Sequence, residues 1–243
     1  MMAKKIGVVG CGKRIRYIVA KLNRQFPGKY YYYIYDIVEE SMKLFEKEAG
    51  SDKVIICGSY EEILNNKGID WVMIGSTNSA HKDHIVRALK SDKNIFCEKP
   101  IAMSINELEE IKNASRGKSK LKFIISYPLR YSPFYMKIKS IINSGKIGKI
   151  ISMEFNEVLK FSHGGFFMSD WRRFNKDSGG YLLEKCCHDL DIVNWILGSI
   201  PKRVASFGGL NFFKEENKGI LDEVVRNHRG EKEFDFDCNP FTS

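Results

Sequence analysis

Residues 181–198, YLLEKCCHDLDIVNWILG, combine acidic side chains, a histidine and two adjacent cysteines within an otherwise apolar run. On a helix, four residues spaced i, i+4, i+7 and i+11 form one stripe, namely Glu184, His188, Asp191 and Trp195. These residue types could form an acid–base pair, the two cysteines could form a redox dithiol, or the stretch could be only a buried helix with a polar edge. The same stripe could present ligands to a metal ion, but no second cluster accompanies it. No metal is therefore expected.

A second group of candidate residues lies near the N-terminus, where Gly10 and Gly12 separate a predicted strand from a predicted helix. Glycines at this junction let the backbone approach a pyrophosphate, and the helix N-terminus favours the anion. The third glycine of the G-x-G-x-x-G pattern is replaced by Ile15. That glycine serves helix–strand packing, so its loss weakens the match more than it affects phosphate contact.

Asp36 follows the second predicted strand, at the position where a carboxylate accepts hydrogen bonds from the adenosine ribose. A carboxylate there repels a 2′-phosphate, which favours NAD. The nearby basic residues Lys13 and Arg14 weaken this argument, so NADP stays possible.

Glu98 and Lys99 end another predicted strand, in NIFCEKP, residues 94–100. Ligands of open α/β sheets bind at the carboxyl ends of strands, and Pro100 disfavours a helical conformation for Lys99. The Lys99 ammonium is thereby a candidate for proton exchange with a substrate hydroxyl.

The elements that must position these residues divide the chain at residue 127. Up to that point short apolar runs alternate with amphipathic segments, which predicts a doubly wound parallel sheet covered by helices. The predicted strands are 5–9, 30–36, 54–57, 71–75, 94–97 and 122–127, and the predicted helices 13–26, 39–49, 60–66, 80–91 and 104–114. Residues 1–127 are expected to form a Rossmann domain.

Residues 128–243 are expected to form a second, α+β domain. A helix is predicted at 132–143, and the period-two alternation of 149–161 predicts a strand with one covered face. Residues 202–213 predict another strand. The expected sheet is mainly antiparallel.

Taken in order, the motifs resemble the Gfo/Idh/MocA (glucose–fructose oxidoreductase and inositol dehydrogenase) family over residues 5 to about 217. The motifs are the glycine loop, Asp36, STNSAH at 76–81, EKP at 98–100, SGKIGKI at 144–150 and GGYLLEKCCHDLD at 179–191. Thr77 stands where the family usually has proline, and Glu184 where it has aspartate. The family's chains are typically longer, so the second domain is expected to be incomplete at its C-terminus.

The resemblance implies roles for individual residues. Lys99, His188 and Glu184 would be catalytic, with His188 as general base. The residues implied at the cofactor are Gly10, Cys11, Gly12, Lys13, Arg14, Asp36, Ser76, Asn78, His81, Glu98 and Lys99. Those implied at the substrate are Tyr127, Arg130, Trp171, Arg172 and Asp191.

The expected function is an NAD(P)-dependent dehydrogenase acting on a CH–OH group of a sugar, polyol or related small molecule. Two alternatives stay open. One is an enzyme that uses transient oxidation for elimination or glycoside cleavage without net redox change, and the other is a non-catalytic nucleotide-binding remnant or sensor. A homo-oligomer is expected if the second-domain sheet is complete enough.

Composition narrows the class of protein. The net charge of +9 arises from 39 Lys and Arg spread along the chain without a nucleic-acid motif, so no nucleic-acid partner is expected. No apolar run approaches a membrane span, and the first residues lack a secretory signal pattern, so a cytoplasmic protein is expected. The six cysteines lack C-x-x-C spacing, and Cys186 and Cys187 are expected to serve packing.

Overall fold

The computed structural model describes residues 3–159, 164, 167, 170–212 and 214–227. The chain divides into two compact units. The first comprises Met1–Tyr127 together with Lys176–Gly179, and the second comprises Pro128–Asn175 and Gly180–Ser243.

The first unit contains a six-stranded, wholly parallel sheet of order β3-β2-β1-β4-β5-β6. The strands are β1 (Lys4–Val9), β2 (Tyr30–Tyr35), β3 (Val54–Ile56), β4 (Ile69–Ile74), β5 (Asn94–Cys97) and β6 (Phe123–Ile125). The strand order reverses between β1 and β4, which is the switch point where open α/β sheets bind ligands. The predicted doubly wound parallel fold of this unit is confirmed.

Five helices of the first unit connect these strands. They are α1 (Lys13–Gln25), α2 (Glu39–Ala49), α3 (Tyr60–Asn65), α4 (Asn78–Lys90) and α5 (Ile105–Ala114). Neighbouring strand residues point to opposite faces, and accordingly Val8 and Val9 belong to two different buried clusters. Helix α5 is capped by Ser104, whose Oγ accepts from the Glu107 amide at 3.2 Å.

Ile15, which replaces the third glycine of the loop pattern, is fully buried at 0% exposure. A Cβ placed on Gly75, at the end of β4, would lie only 2.1 Å from Ile15 Cγ1. The Ile15 side chain therefore occupies the space above Gly75. Close helix–strand packing here depends on a glycine in the strand end, whereas the usual pattern has it in the helix.

Because the Ile15 side chain fills the space above Gly75, the effects of substitutions at these two positions on the free energy of unfolding should not be additive. Gly75→Ala should destabilise the first unit by about 1–3 kcal/mol through overpacking, and Ile15→Ala by about 2–5 kcal/mol through a cavity. The double variant should cost at least about 1 kcal/mol less than the sum, because the shortened side chain at position 15 no longer has the atoms that a methyl group at position 75 would meet. Urea unfolding of the four proteins measures the coupling. The matched control pairs Gly75→Ala with Ile85→Ala, a fully buried residue of the other cluster, and should be additive.

The described part of the second unit is mainly helical. It contains α6 (Pro133–Asn143), the start of the short α7 (Asn175–Ser178), α8 (Cys187–Leu197) and α9 (Lys218–Asn227). A π-helical turn, Leu182–Cys186, precedes α8. The predicted helix after Gly180 is therefore present, but its first turn is wound more loosely than an α-helix.

The two strands predicted in the second unit are not formed in the residues that the structure describes, 149–159 and 202–212. Both segments lack regular secondary structure and carry large apolar side chains in solvent, such as Val158 at 94% and Phe207 at 96% exposure. Alternation alone does not make a strand, because a strand needs a neighbour to complete its hydrogen bonds. The antiparallel sheet is not confirmed.

Candidate functional site

The carboxyl ends of the first-unit strands are tied to one another by backbone hydrogen bonds. The bonds run from Gly10 N to Tyr35 O (3.0 Å), Gly75 N to Val9 O (2.8 Å), Glu98 N to Ile74 O (2.9 Å) and Ser126 N to Cys97 O (2.9 Å). The first residue after each of four strands is thus fixed against its neighbour. This edge of the sheet carries all the cofactor residues that the sequence predicts.

The glycine loop passes very close to the turn after β4. Gly10 has a φ of +84°, and a Cβ on it would lie 2.2 Å from the Ser76 amide nitrogen. Gly12 is the N-cap of α1, and no acidic residue occupies the first helical turn. Lys13 and Arg14, both exposed, add positive charge to that turn, so its amide groups suit an anion.

The Asp36 carboxylate lies on the glycine loop. Its Oδ2 accepts from the Cys11 amide at 2.6 Å and its Oδ1 from the Val38 amide at 2.9 Å. The Cys11 thiol is fully buried, and burial, with the charge of Asp36 adding to it, raises the pKa of this thiol to about 12. Cys11 therefore contacts Asp36 through its backbone amide, while its thiol stays buried and protonated.

Two histidines of α4 contact Ser76 in the turn after β4. His81, 1% exposed, places Nε2 3.0 Å from Ser76 O and Nδ1 2.6 Å from Pro100 O. The Nδ1 atom of His84 lies 2.9 Å from Ser76 Oγ. Burial lowers the pKa of His84 to about 4, so this ring is neutral at neutral pH. The His81 ring thus contacts protein carbonyls, although the sequence analysis expected it at the cofactor.

The Asn78 side chain also bonds a backbone carbonyl of the protein. It is 3% exposed, and its Nδ2 donates to Ser178 O at 2.8 Å, inside the first unit. His84 was not among the residues predicted for the site. The i, i+3 spacing of the two histidines in HKDH, residues 81–84, was the one signal that they share a face.

Glu98 and Lys99 follow β5, and the Lys99–Pro100 peptide bond is cis. Burial raises the pKa of Glu98, against a hydrogen bond with Ser126 and the positive charges of Arg14 and Lys99. Glu98 Oε1 is buried and accepts no hydrogen bond from any described residue. Its ion pair with Arg14 Nε spans 3.5 Å. Glu98 therefore has an acceptor that a ligand hydroxyl could use, next to the glycine loop.

In the second unit, Glu184 lies on the π-helical turn and is 5% exposed. Its Oε1 accepts from Arg172 Nε at 3.2 Å. Arg172 also donates to Asp170 Oδ2 at 2.6 Å, and its guanidinium lies 4.4 Å from the centre of the Trp171 ring. The sequence analysis expected Arg172 and Trp171 at the substrate. The structure has Arg172 engaged with two carboxylates, one of them the predicted catalytic glutamate.

Asp191 and Arg130, also expected at the substrate, form a two-point ion pair within the second unit. Arg130 Nε donates to Asp191 Oδ2 at 2.8 Å, and a second bond joins its NH2 group to Oδ1. His188, the second residue of α8, is half-buried. Tyr127, the last residue of the first unit before Pro128, is half-buried, and its amide donates to Ile125 O.

Lys185 forms a cluster that the sequence analysis missed. It is buried, and its Nζ bonds Glu157 and lies 3.6 Å from Asp189 Oδ2. Burial and Glu157 raise the pKa of Asp189 to about 6, against the charge of Lys185. The i, i+4 spacing of Lys185 and Asp189 was a signal for one of these contacts, but none indicated Glu157, which is 28 residues from Lys185.

Among the residues that the structure describes, no group of three or more His, Cys, Asp or Glu side chains is arranged to hold a metal ion. Within the same residues, no helix has both the length and the apolar character that a membrane crossing requires.

A parallel sheet of this order, with a glycine loop after β1 and an acidic residue after β2, defines a dinucleotide-binding α/β protein. Residues 4–126 match the family model described as "Oxidoreductase family, NAD-binding Rossmann fold". Residues 139–238 match "Oxidoreductase family, C-terminal alpha/beta domain". The chain belongs to the Gfo/Idh/MocA oxidoreductase family, and its first unit is that family's NAD-binding fold.

Relatives with known names include inositol dehydrogenases. The chain is 30% identical over 228 residues to scyllo-inositol 2-dehydrogenase (NAD(+)) of Bacillus subtilis, covering 91% of this chain and 62% of that protein. It is 28% identical over 207 residues to inositol 2-dehydrogenase of Salmonella paratyphi B, covering 84% and 57%. The structure of scyllo-inositol dehydrogenase from Lactobacillus casei, solved with NAD(H) and scyllo-inositol bound, aligns with a TM-score of 0.65 at 25% identity, covering 81% and 57%. The chain thus spans little more than half the length of these relatives.

Proposed function

We propose that this chain carries the cofactor-binding and proton-transfer residues of an NAD-dependent dehydrogenase that oxidises a CH–OH group of a polyol, sugar or related small molecule. The observation that carries the proposal is the assembly at the carboxyl edge of the first-unit sheet. There the glycine loop, Asp36 and the Glu98–Lys99 pair are joined by hydrogen bonds and the Arg14–Glu98 ion pair. The names of the relatives support a polyol substrate, with inositols as the first compounds to test.

The residues present fit a dinucleotide. The glycine loop and the first turn of α1 would hold the pyrophosphate, and Asp36 would accept from the adenosine ribose while keeping its bond to the loop. Glu98 Oε1, a buried acceptor without a described donor, would accept from a hydroxyl of the second ribose. Ser76, Asn78 and His81 would line the dinucleotide beside the loop, and the His81 ring would also hold the turn through its contact with Ser76 O.

Lys99, His188 and Glu184 are the proposed proton-transfer residues. NAD, when bound, would supply the hydride acceptor. His188 would take the proton from the substrate hydroxyl as general base, and Lys99 would assist the proton transfer. Glu184 would orient His188, and Arg172 would hold the Glu184 carboxylate in place. Tyr127, Arg130, Trp171 and Asp191 are proposed to shape the substrate region, with Arg130 and Asp191 acting as a pair.

The first test is calorimetric titration of the purified chain with NADH and, separately, NADPH. We expect tighter binding of NADH than of NADPH. The Asp36 carboxylate is held by two backbone amides, so it cannot readily move aside for the 2′-phosphate of NADPH. Asp36→Asn should weaken NADH binding by about 10-fold or more, the value of a hydrogen bond to a charged group. It should also reduce the ratio of the NADH affinity to the NADPH affinity. Asp70→Asn is the matched control, since Asp70 is exposed on β4 and should leave both affinities unchanged.

The second test is NADH formation with a polyol panel that begins with myo- and scyllo-inositol. NADH formed in proportion to substrate consumed supports the dehydrogenase. Substrate loss without NADH accumulation would favour elimination or glycoside cleavage, and NADH binding without any turnover would favour the non-catalytic sensor.

The second unit carries a structural proposal as well. Residues 149–161 alternate as a strand does, and residues 202–213 are the other predicted strand. We propose that both segments join an antiparallel sheet when a pairing strand is available. Isotope-edited infrared spectra of the intact protein would test this. Homo-oligomerisation through such a sheet is part of the same proposal and is measured by sedimentation.

A further inference from the structure

We propose that His81 is a positioning residue that sets the placement of the Lys99 loop through a hydrogen bond from its Nδ1 to Pro100 O. The inference rests on the proposed function, because it assigns a role to His81 in the presentation of Lys99. It assigns no direct contact with substrate or cofactor.

The geometry joins two loops through one ring. His81 belongs to the first turns of α4, directly after β4, and Pro100 belongs to the loop after β5. The ring is 1% exposed, with Nδ1 2.6 Å from Pro100 O and Nε2 3.0 Å from Ser76 O. His81 therefore bridges the carboxyl ends of two adjacent strands.

The β4 side of this bridge is held by several contacts at once. Gly75 N donates to Val9 O, Ser76 Oγ contacts His84 Nδ1, and the Ser76 amide lies too close to Gly10 for any side chain there. The Tyr60 hydroxyl in turn donates to the His84 carbonyl at 3.0 Å. Because this turn is fixed from several directions, the Nδ1 bond transmits its position to Pro100 and to the preceding Lys99.

The chemistry distinguishes the two ring nitrogens. Both face carbonyl oxygens, which only accept, so each contact is a hydrogen bond only where its ring nitrogen carries a proton. We assign a proton to Nδ1, because the shorter contact is the one that an unprotonated nitrogen would make most repulsive. The contact between Nε2 and Ser76 O then contributes less to loop placement.

The assignment is tested by separating the two contacts. Asparagine places its amide nitrogen near the position of histidine Nδ1, and glutamine near that of Nε2. His81→Asn should keep kcat within about threefold of the parent, whereas His81→Gln and His81→Ala should lower it by about 10- to 100-fold, the scale of an ångström-level misplacement of a catalytic group. NADH affinity should change by less than about threefold in all three, because the glycine loop and Asp36 keep their own contacts. Equal kcat in His81→Asn and His81→Gln would overturn the inference.

Nuclear magnetic resonance provides a second measurement that does not require turnover. It therefore tests the role of His81 separately from the proposed function. The 13Cε signal of Lys99, assigned by its loss in Lys99→Arg, should shift in His81→Gln and stay near the parent value in His81→Asn. In the unsubstituted protein, long-range 1H–15N spectra should show the His81 proton on Nδ1. A proton on Nε2 alone, or a Lys99 signal unmoved by His81→Gln, would overturn the inference even if the protein is an active dehydrogenase. The expected spectra in a protein that neither binds NADH nor turns over would uphold the placement of Lys99 and defeat the proposed function.

Discussion

Lys99→Met should lower kcat for polyol oxidation by about 10²- to 10⁴-fold, the usual contribution of a positioned proton-transfer group. Methionine keeps the length and apolar stem of lysine but can neither donate to the substrate oxygen nor carry charge. NADH affinity should stay within about threefold, since the glycine loop, Asp36 and Glu98 are unchanged. Steady-state kinetics with the substrate found in the panel, combined with NADH titration of the same sample, gives both quantities.

The matched control for that change is Lys120→Met. Lys120 is exposed in the loop that precedes β6, so the substitution removes the same charge at the opposite edge of the sheet. Its kcat should equal that of the unsubstituted protein. Retained turnover in Lys99→Met would remove Lys99 from the proposed proton transfer, whereas an equal loss in Lys120→Met would point to a general effect of charge.

Gly10→Ala should disrupt both the fold of the loop and cofactor binding. An alanine at a φ of +84° costs about 1–2 kcal/mol, and its Cβ would meet the Ser76 backbone at 2.2 Å, which adds about 1–3 kcal/mol of overpacking. Displacement of the loop should then weaken NADH binding by at least about 10-fold, the loss of one hydrogen bond to a charged group. Thermal unfolding and calorimetric titration measure the two effects.

Substitutions at two other glycines distinguish the conformational cost of Gly10→Ala from its effect on the cofactor site. Gly28 has a φ of +72° but open space around it, so Gly28→Ala should show the conformational cost alone, with normal NADH binding. A Cβ on Gly12 would make only an ordinary 3.6 Å contact with Gly75 O, so Gly12→Ala should fold normally but obstruct the pyrophosphate. Normal NADH binding by a folded Gly12→Ala or Gly10→Ala protein would contradict the assignment of this loop to the cofactor.

The boundaries of the first-unit strands and helices were predictable to within two residues, because their signals are local. Each buried strand is a short apolar run, and the Ser104 cap of α5 involves two residues three positions apart. Strand formation at 149–161 was not predictable in the same way. Its alternation is equally clear, but a strand also requires a partner, and the described residues supply none.

The second unit illustrates the same limit for side chains. The helical stripe that joins Glu184 to His188 assumes α-helical winding through residue 184, but Leu182–Cys186 is a π-turn, which changes the angular spacing between these two residues. The Glu184 carboxylate also meets Arg172, twelve positions earlier. Arg130 meets Asp191 across 61 positions. No periodicity relates such pairs.

The amino-acid sequence alone was sufficient to predict a parallel dinucleotide-binding unit, its glycine loop with Asp36, and Glu98–Lys99 at a strand end. These follow from patterns within a few residues and from the rule that parallel strands present their carboxyl ends at one edge. Tertiary structure decided which of the polar residues are engaged by other parts of the protein. His81, Asn78 and Arg172 looked equally available for a ligand, yet each bonds a backbone or carboxylate oxygen of its own unit. The physical reason is that a buried polar group must find a partner, and the partner is chosen by proximity in space.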